Sequence, residues 1–262
     1  MPTLPTFFLS HGGGPWPWMR EHFGGAYDQL DAALRDLPRR VGGKPDAILV
    51  VTAHWEGREF LVSSAAHPPM LYDYGGFPPH TYQIQYPAPG SPALAARVAA
   101  LLGERARLDP ARGFDHGTFS AMYPAFPDAD VPIVQLSLRQ GLDPAEHLAA
   151  GRLLRPLRDE GVLIVGSGLS YHNLRAFNAA GAQASQLFDG WLRETMAAAP
   201  AERTARLLAW ERAPAARMAH PREEHLLPLM VVVGAAEDAA AQVVYHEERF
   251  MGALAVSSFM LG

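Results

Sequence analysis

Five histidines of the sequence lie in glycine-rich surroundings, at the ends of predicted strands or just before predicted helices. Three of them come shortly after an apolar, strand-like run: His11 follows residues 6–9, His54 follows 47–52 and His172 follows 161–166. Ligands of open α/β sheets bind beyond the carboxyl ends of the strands. We therefore expect these imidazoles to converge, although a single histidine after a strand is more often a capped or solvated side chain.

The other two histidines of this group precede apolar segments. His116 lies in Gly113-Phe114-Asp115-His116-Gly117, and His225 lies in a helix predicted over residues 222–233. On such a helix His225 faces inward while Arg222 and Glu223 face solvent. Neutral imidazole is the commonest metal ligand, and three ligands on one face of an ion leave positions for a substrate and dioxygen, or for a water. A further histidine outside the ligand set can move protons near neutral pH.

Strands and helices alternate over most of the 262 residues, which predicts an α/β fold with a mixed sheet. We expect one domain over residues 1–262, an α/β/α sandwich with the histidines grouped at one edge of the sheet. Strands are predicted over 6–9, 47–52, 60–63, 131–138, 161–166, 242–245 and 253–259. Helices are predicted over 21–37, 92–102, 143–159, 182–199, 202–210 and 222–233, with a short helical turn over 118–123.

Residues 66–92 are rich in proline, glycine and tyrosine and contain little regular structure by sequence pattern. A stretch of this length is usually a functional lid or a pocket wall. The alternative is a surface excursion that packs on its own aromatic side chains. Composition favours neither interpretation over the other.

Composition excludes several classes of function. The net charge is −5 and no cluster of Lys and Arg is present, so we expect no nucleic-acid partner. Cysteine is absent, which excludes disulfides and thiolate metal sites. The sequence shows no targeting segment and no apolar run of membrane-spanning length, which predicts a cytoplasmic protein that does not enter a membrane. The oligomeric state stays open.

Eight short segments together resemble the class III extradiol ring-cleavage dioxygenases, in the branch of the DOPA 4,5-dioxygenase type. They occur in the same order as in that family, from near the N-terminus to about residue 235. The segments are Ser10-His11-Gly12, Thr52-Ala53-His54-Trp55, Tyr74-Gly75-Gly76-Phe77-Pro78, Tyr86-Pro87-Ala88-Pro89-Gly90-Ser91-Pro92, Gly113-Phe114-Asp115-His116-Gly117, Val134-Gln135-Leu136-Ser137, Tyr171-His172-Asn173-Leu174-Arg175 and Glu224-His225-Leu226-Leu227-Pro228-Leu229.

The resemblance implies an enzyme that opens a small aromatic diol of the catechol type with dioxygen. It places the metal ligands at His11, His54 and His225, the acid/base group at His172, and a second pocket histidine at His116. Fe(II) would support activity, and Zn(II) could occupy the same three ligands. The protocatechuate-cleaving branch has a glutamate as its third ligand, whereas the matching residue here is His225. His172 could also touch the ion in a resting state.

Two alternatives use the same histidines. The first is a zinc hydrolase, in which Glu56 or Glu224 would be the general base for a zinc-bound water. The second is a metal-binding protein without enzymatic activity, since a fold does not determine function. Retention of all five histidines argues mildly against the second alternative.

Overall fold

One mixed sheet of eight strands runs through residues 2–262, the part of the chain that the computed structural model describes. The spatial order of the strands is β4-β3-β5-β2-β6-β1-β8-β7. The strands are β1 Thr6–Ser10, β2 Ala47–Gly57, β3 Phe60–Ser63, β4 Ala106–Asp109, β5 Ile133–Arg139, β6 Val162–Gly168, β7 Ala241–Phe250 and β8 Leu254–Leu261. Helices cover both faces of this sheet, so the predicted α/β/α sandwich with a mixed sheet is confirmed.

The helices divide between the two faces of the sheet. The fully buried helix α9 (Leu227–Ala235) packs on β1, β2 and β6 and against α5 (Pro144–Leu154), whereas α4 (His116–Ala125) packs on β2 and β6 and against α1 (Asp28–Arg35). The helices are α1 Asp28–Arg35, α2 Leu37–Val41, α3 Pro92–Leu102, α4 His116–Ala125, α5 Pro144–Leu154, α6 Ala182–Ala197, α7 Pro200–Leu208, α8 Ala216–Ala219 and α9 Leu227–Ala235. Within residues 2–262, none of them combines the length and the apolarity that crossing a membrane requires.

The centre of the sheet consists of β5, β2, β6 and β1, which are parallel to one another. Their side chains are almost entirely buried, because helices cover both faces and the strands are rich in Val, Ile and Leu. Parallel strands end at the same edge of a sheet. The carboxyl ends of β1, β2 and β6 therefore lie side by side, which positions the segments that carry His11, His54 and His172.

Several predicted elements differ from the structure. The second strand does not end at residue 52: β2 continues to Gly57, and its pairing with β5 shifts between Val51 and Glu56. The helix predicted from residue 21 begins only at Asp28, because Gly24 and Gly25 adopt left-handed backbone angles that interrupt it. The short edge strand β4 was not predicted, since its alternation of side chains is too brief to stand out.

The helix predicted over residues 222–233 also begins later. Residues 221–226 form turns, and α9 starts at Leu227 with Pro228 in its first turn, where proline is well tolerated. His225 therefore lies in the turn before the helix. It is nearly fully buried there, so the prediction that it faces inward holds although its helical position was wrong.

Close approach of two backbones fixes this turn against the sheet. Gly168, at the end of β6, lies so near the His225 carbonyl that an added Cβ would come within 2.1 Å of that oxygen. The amide of Leu169 donates to the same carbonyl at 3.1 Å. Only glycine leaves room for this contact, which brings His225 to the strand end that also positions His11.

We expect Gly168→Ala to lower the free energy of unfolding by about 1–3 kcal/mol, because the new methyl group forces β6 and the His225 turn apart. Urea denaturation measures the change. Gly190→Ala is the matched control, since Gly190 lies in α6 with no heavy atom within 4 Å of an added Cβ. That variant should be neutral or more stable by about 0.5–1 kcal/mol. Equal stability of the two variants would contradict the close-approach argument.

Candidate active site

The carboxyl edge of the central strands brings together all five histidines that the sequence singled out. Ser10 pairs with Gly168 and Thr52 pairs with Ser167, so the pairing of β1 with β6 and that of β2 with β6 end at nearly the same level. His11 directly follows β1, whereas His54 lies inside β2, where the pairing with β5 is irregular. His116 is the first residue of α4, and His172 and His225 lie in segments that follow β6 and precede α9.

The rings of His11, His54 and His225 are almost equally spaced. Their centroids lie 4.9 Å apart for His11 and His54, 5.2 Å for His11 and His225, and 4.9 Å for His54 and His225. Metal–nitrogen bonds of about 2.0–2.1 Å put each ring centroid about 3.2 Å from the ion, which gives spacings of about 4.5–5.2 Å for ligand angles of about 90–110°. These ring spacings match those of three imidazoles bonded to one ion, although the donor atoms that lie within 4.8 Å of one another group His225 with His172 and Glu224.

His116 offers a competing ligand set. The donor atoms of His11, His54 and His116 lie within 4.8 Å of one another. However, the centroids of His54 and His116 are only 4.0 Å apart, which is tighter than two imidazoles bonded to one ion require. Ring spacing thus favours His225 over His116 as the third ligand, and leaves His116 beside the metal position.

A serine determines which nitrogen of His11 is free. The Ser167 hydroxyl donates to the Gly117 carbonyl, so its oxygen is left to accept from Nδ1–H of His11, at 3.0 Å. The lone pair of His11 then lies on Nε2, which faces Nε2 of His54 at 3.1 Å. Two acceptor nitrogens that face each other without a proton between them repel each other. A cation bound to both nitrogens removes this repulsion.

Asp73 holds two of the rings. Its carboxylate accepts from Nδ1–H of His116 at 2.9 Å, and it lies 3.3 Å from Nδ1 of His54. The backbone amide of His116 donates to the same carboxylate at 2.9 Å. Asp73 therefore fixes both rings with Nε2 directed away from it.

Glu224 orients the other two rings, those of His172 and His225. One of its carboxylate oxygens accepts from Nδ1–H of His225 at 2.9 Å and from Nδ1–H of His172 at 3.0 Å. The two imidazoles stack, with centroids 3.3 Å apart and planes inclined by 20°. The hydrogen bond to Glu224 and the stacking thus hold His172 beside the candidate ligand His225 without a bond from His172 to a metal.

Burial keeps the candidate ligands neutral. Burial first, and then the neighbouring histidines, lower the pKa of His11 and of His225 well below 6.5. Burial and the nearby His116 lower the pKa of His54 to about 3. Burial, the largest single influence, raises the pKa of Asp73, but the hydrogen bonds from His116 together with the charges of His116 and His54 outweigh it, and the net shift is downward. The site therefore presents neutral nitrogens beside an ionised carboxylate, which is the state that binds a cation.

A buried polar network supports His116 and the irregular part of β2. Asp115 caps α4 by accepting from the Thr118 amide at 3.0 Å, and it also accepts from the Thr52 hydroxyl at 2.9 Å. Arg112 donates to Asp115 at 2.6 Å and to the His54 carbonyl at 3.1 Å. The segments bearing His54 and His116 are thus tied to each other.

A cavity of about 950 Å³ opens above the histidines. Its walls are mainly aromatic and aliphatic, and they include the loop between β3 and α3. The side chains that line it beyond the histidines include Phe23, Tyr27, Trp55, Glu56, Asp73, Tyr74, Phe77, Leu174, Phe177, Arg222, Glu224 and Met251. Part of the 66–92 stretch is therefore a pocket wall, which was one of its two sequence interpretations.

Comparison with known proteins assigns the family. Residues 5–260 match the family described as the catalytic LigB subunit of aromatic ring-opening dioxygenase. The chain belongs to the LigB family. It is therefore related over nearly its whole length to oxygenase enzymes, and the resemblance found in the sequence is confirmed.

Named relatives place the chain within this LigB family. It is 38% identical to the 4,5-DOPA dioxygenase extradiol of Portulaca grandiflora, over 92% of this chain and 90% of that protein. It is 36% identical to the protein of the same name in Escherichia coli K12, over 99% and 95%, and 37% identical to dioxygenase tasH of Hapsidospora irregularis, over 96% and 84%. These relatives support the DOPA 4,5-dioxygenase branch of the class III extradiol dioxygenases.

A solved structure shares the LigB fold seen here. The crystal structure of the uncharacterized protein JW3007 from Escherichia coli K12 aligns with a TM-score of 0.79 and 30% sequence identity. The alignment covers 99% of this chain and all of that chain.

Sequence reasoning missed two of the groups that orient the histidines. Asp73 lies in the proline-rich stretch with no helix or strand to predict its direction, and Ser167 lies inside a buried strand. Glu224 was considered only as a hydrolase base. Its position beside His225 was a usable signal, because a metal-bound histidine usually donates its other nitrogen to a carboxylate or a carbonyl.

The metal-free protein should lose stability as the pH falls from 7.5 to 5. Since the pKa values of His11, His54 and His225 are lowered on folding, the unfolded chain binds protons near pH 6.5 that the folded chain cannot take up. Each such histidine lowers the free energy of unfolding by about 1.4 kcal/mol for every pH unit below 6.5. Urea unfolding at several pH values measures this slope. His54→Gln should make the slope shallower, and an unchanged slope would contradict the assigned burial effect.

Proposed function

We propose that the protein is a metal-dependent extradiol dioxygenase that opens a catechol-type ring with dioxygen, and that His11, His54 and His225 hold Fe(II). The observation that carries this proposal is the equal spacing of three buried, neutral imidazoles at the base of an aromatic-lined cavity. Membership of the LigB family supports it independently.

Fe(II) at these ligands would supply the redox chemistry that joins dioxygen to an electron-rich ring, whereas Zn(II), which suits the same nitrogens, has no accessible redox change. Three neutral imidazole ligands do not neutralise the positive charge of the ion. A catechol that loses its hydroxyl protons provides the missing negative charge. The ligand set therefore favours an anionic diol over a neutral aromatic ring.

His172 is the proposed acid/base group. Its Nδ1–H is committed to Glu224, so Nε2 is the nitrogen that can accept a proton from a substrate hydroxyl and later return one. Glu224 accepts the hydrogen bond and stabilises the imidazolium that forms. The carboxylate therefore acts through His172 as a positioning group, in addition to orienting His225.

His116 is the proposed second pocket histidine. Asp73 occupies its Nδ1–H, and the ring lies on the cavity wall with its centroid 6.0 Å from that of Tyr74. Its remaining nitrogen can hydrogen-bond to a substrate oxygen or to dioxygen. Tyr74 and Phe77 present flat apolar surfaces beside it, which suits an aromatic substrate and excludes water.

The hydrolase alternative is less well supported. Of its two candidate bases, Glu56 makes a doubly hydrogen-bonded ion pair with Arg222, with both distances 2.6 Å. Glu224 accepts from two imidazoles. Glu56 is therefore committed to Arg222, and Glu224 is held by both imidazoles through Oε1, which leaves only its buried Oε2 without a hydrogen-bond partner.

Anaerobic loading with Fe(II), followed by addition of a catechol and then dioxygen, tests the proposed function. We expect a yellow ring-opened product to form with the uptake of one equivalent of dioxygen per catechol. The same protein loaded with Zn(II) should bind catechol without consuming oxygen. Hydrolysis of an ester without oxygen uptake, in place of ring opening, would favour the hydrolase.

Removal of a proposed ligand should abolish stoichiometric metal binding. We expect His225→Ala and His54→Ala to retain less than about a tenth of the metal affinity of the parent protein, because each leaves only two imidazoles on the ion. His116→Ala should retain the metal. Inductively coupled plasma mass spectrometry of the dialysed proteins gives the occupancy. Loss of metal in His116→Ala but not in His225→Ala would establish the competing ligand set.

His172→Ala should separate metal binding from turnover. We expect full metal occupancy and a decrease in kcat of about 10²–10⁴, which is the usual contribution of a positioned acid/base group. Steady-state oxygen uptake and metal analysis on the same sample measure both quantities. Loss of the metal in step with the loss of activity would instead make His172 a ligand.

A further inference from the structure

Every charged side chain that lines the cavity within residues 2–262 already has a charged or histidine partner. Asp73 holds His54 and His116, and Glu224 holds His172 and His225. The remaining two, Glu56 and Arg222, form a doubly hydrogen-bonded pair with each other across the cavity wall. Arg222 is the only Lys or Arg among the lining residues. Among these lining residues, a substituent that carries an ammonium or carboxylate group would therefore meet only charges that already have a partner.

The wall away from the histidines is apolar and continuous. Phe23 contacts Tyr27, with ring centroids 5.0 Å apart, and Tyr27 and Phe177 each pack against Phe250 at 5.5 and 6.2 Å. Phe23, Tyr27 and Phe177 all line the cavity. These rings come from two separate segments of the chain and pack on Phe250 of a third, so the apolar wall is built by the tertiary fold.

Two further residues extend this wall at the cavity mouth. Leu174 lines the cavity although 72% of its surface is exposed, and Met251 lines it from a turn in which its backbone has a φ of +52°. A methionine in the left-handed region is unfavourable, and such residues persist where the surroundings require them. An exposed leucine beside this cavity gains burial only when a bound molecule covers it.

The size of the cavity indicates what covers this wall. Its volume of about 950 Å³ is near the upper limit of about 1,000 Å³ for sites that enclose drug-sized ligands. A catechol ring bound at the histidines fills only a small part of that space. The rest of the space adjoins the apolar wall.

We propose that the physiological substrate is a catechol that carries a bulky, uncharged, mainly apolar substituent such as an aryl group, and not an amino-acid side chain. This inference rests on the proposed catechol-binding function of the same site. The ring binds at the histidines, and the substituent lies against Phe23, Phe177, Leu174 and Met251. Glu56 and Arg222 offer no net charge to a charged substituent because they neutralise each other.

Binding to the Zn(II)-loaded protein tests the proposal without turnover. Titration calorimetry with catechol, 4-phenylcatechol, L-DOPA and dopamine gives four dissociation constants. We expect 4-phenylcatechol to bind at least about tenfold more tightly than the other three, as added apolar contact in a fitted pocket allows. Binding of L-DOPA or dopamine as tight as that of 4-phenylcatechol would overturn the proposal. Failure of all four to bind would instead overturn the proposed function on which it rests.

Variants of the apolar wall test where the substituent lies. Leu174→Ser and Phe177→Leu should weaken the binding of 4-phenylcatechol about threefold to tenfold and leave the binding of catechol unchanged, because only the substituent reaches those side chains. Leu187→Ser is the matched control, since Leu187 is also an exposed leucine, at 49%, but lies on α6 and does not line the cavity. If the variants lowered the affinities for catechol and 4-phenylcatechol equally, or changed neither affinity, the proposed placement of the substituent would be contradicted.

A variant of the Glu56–Arg222 ion pair tests its effect on the choice of substituent. Arg222→Gln removes the partner of Glu56 and leaves a carboxylate on the cavity wall that can accept an ammonium group. We expect the affinity for dopamine to rise at least about threefold relative to that for 4-phenylcatechol. An unchanged ratio of the two affinities would show that the pair does not control the choice of substituent.

Discussion

Hydrogen bonds from the Nδ1–H groups of histidines to fixed acceptors are the interaction on which this site depends. Glu224 accepts from His172 and His225, Asp73 accepts from His116, and Ser167 accepts from His11. Asp73 also lies 3.3 Å from Nδ1 of His54, so in all five rings Nε2 is the nitrogen directed away from these acceptors. The acceptors thus determine both the tautomer and the direction of the rings, and in this way they set what the cluster can bind.

The sheet and its glycines bring these acceptors within reach. The parallel pairing of β1, β6 and β2 aligns three strand ends, and Gly168 lets the turn before α9 close onto β6. Gly117 serves the same purpose for α4, because a Cβ at that position would lie 2.8 Å from the ring of His54. Burial in this arrangement keeps the imidazoles neutral at the expense of stability at low pH. A bound ion would restore stability, since it binds only to the folded state.

The sequence contained the class of the fold and the identity of the histidines, but not their geometry. Apolar runs before His11, His54 and His172 predicted strands whose ends meet, and the resemblance to the dioxygenases separated His225 from the remaining histidines. The irregular pairing around His54 was not predictable, because a bulge depends on the neighbouring strand. Asp73 was missed because its role requires a loop without regular structure to fold back over β2. The turn at His225 was mistaken for helix, since its apolar periodicity continues into α9.

A crystal structure of the protein loaded anaerobically with Fe(II), with anomalous diffraction recorded at the iron absorption edge, tests the central claim most directly. We expect one iron peak at bonding distance from Nε2 of His11, His54 and His225, with His116 beyond bonding distance. A peak among His11, His54 and His116, or no peak at this cluster, would contradict it.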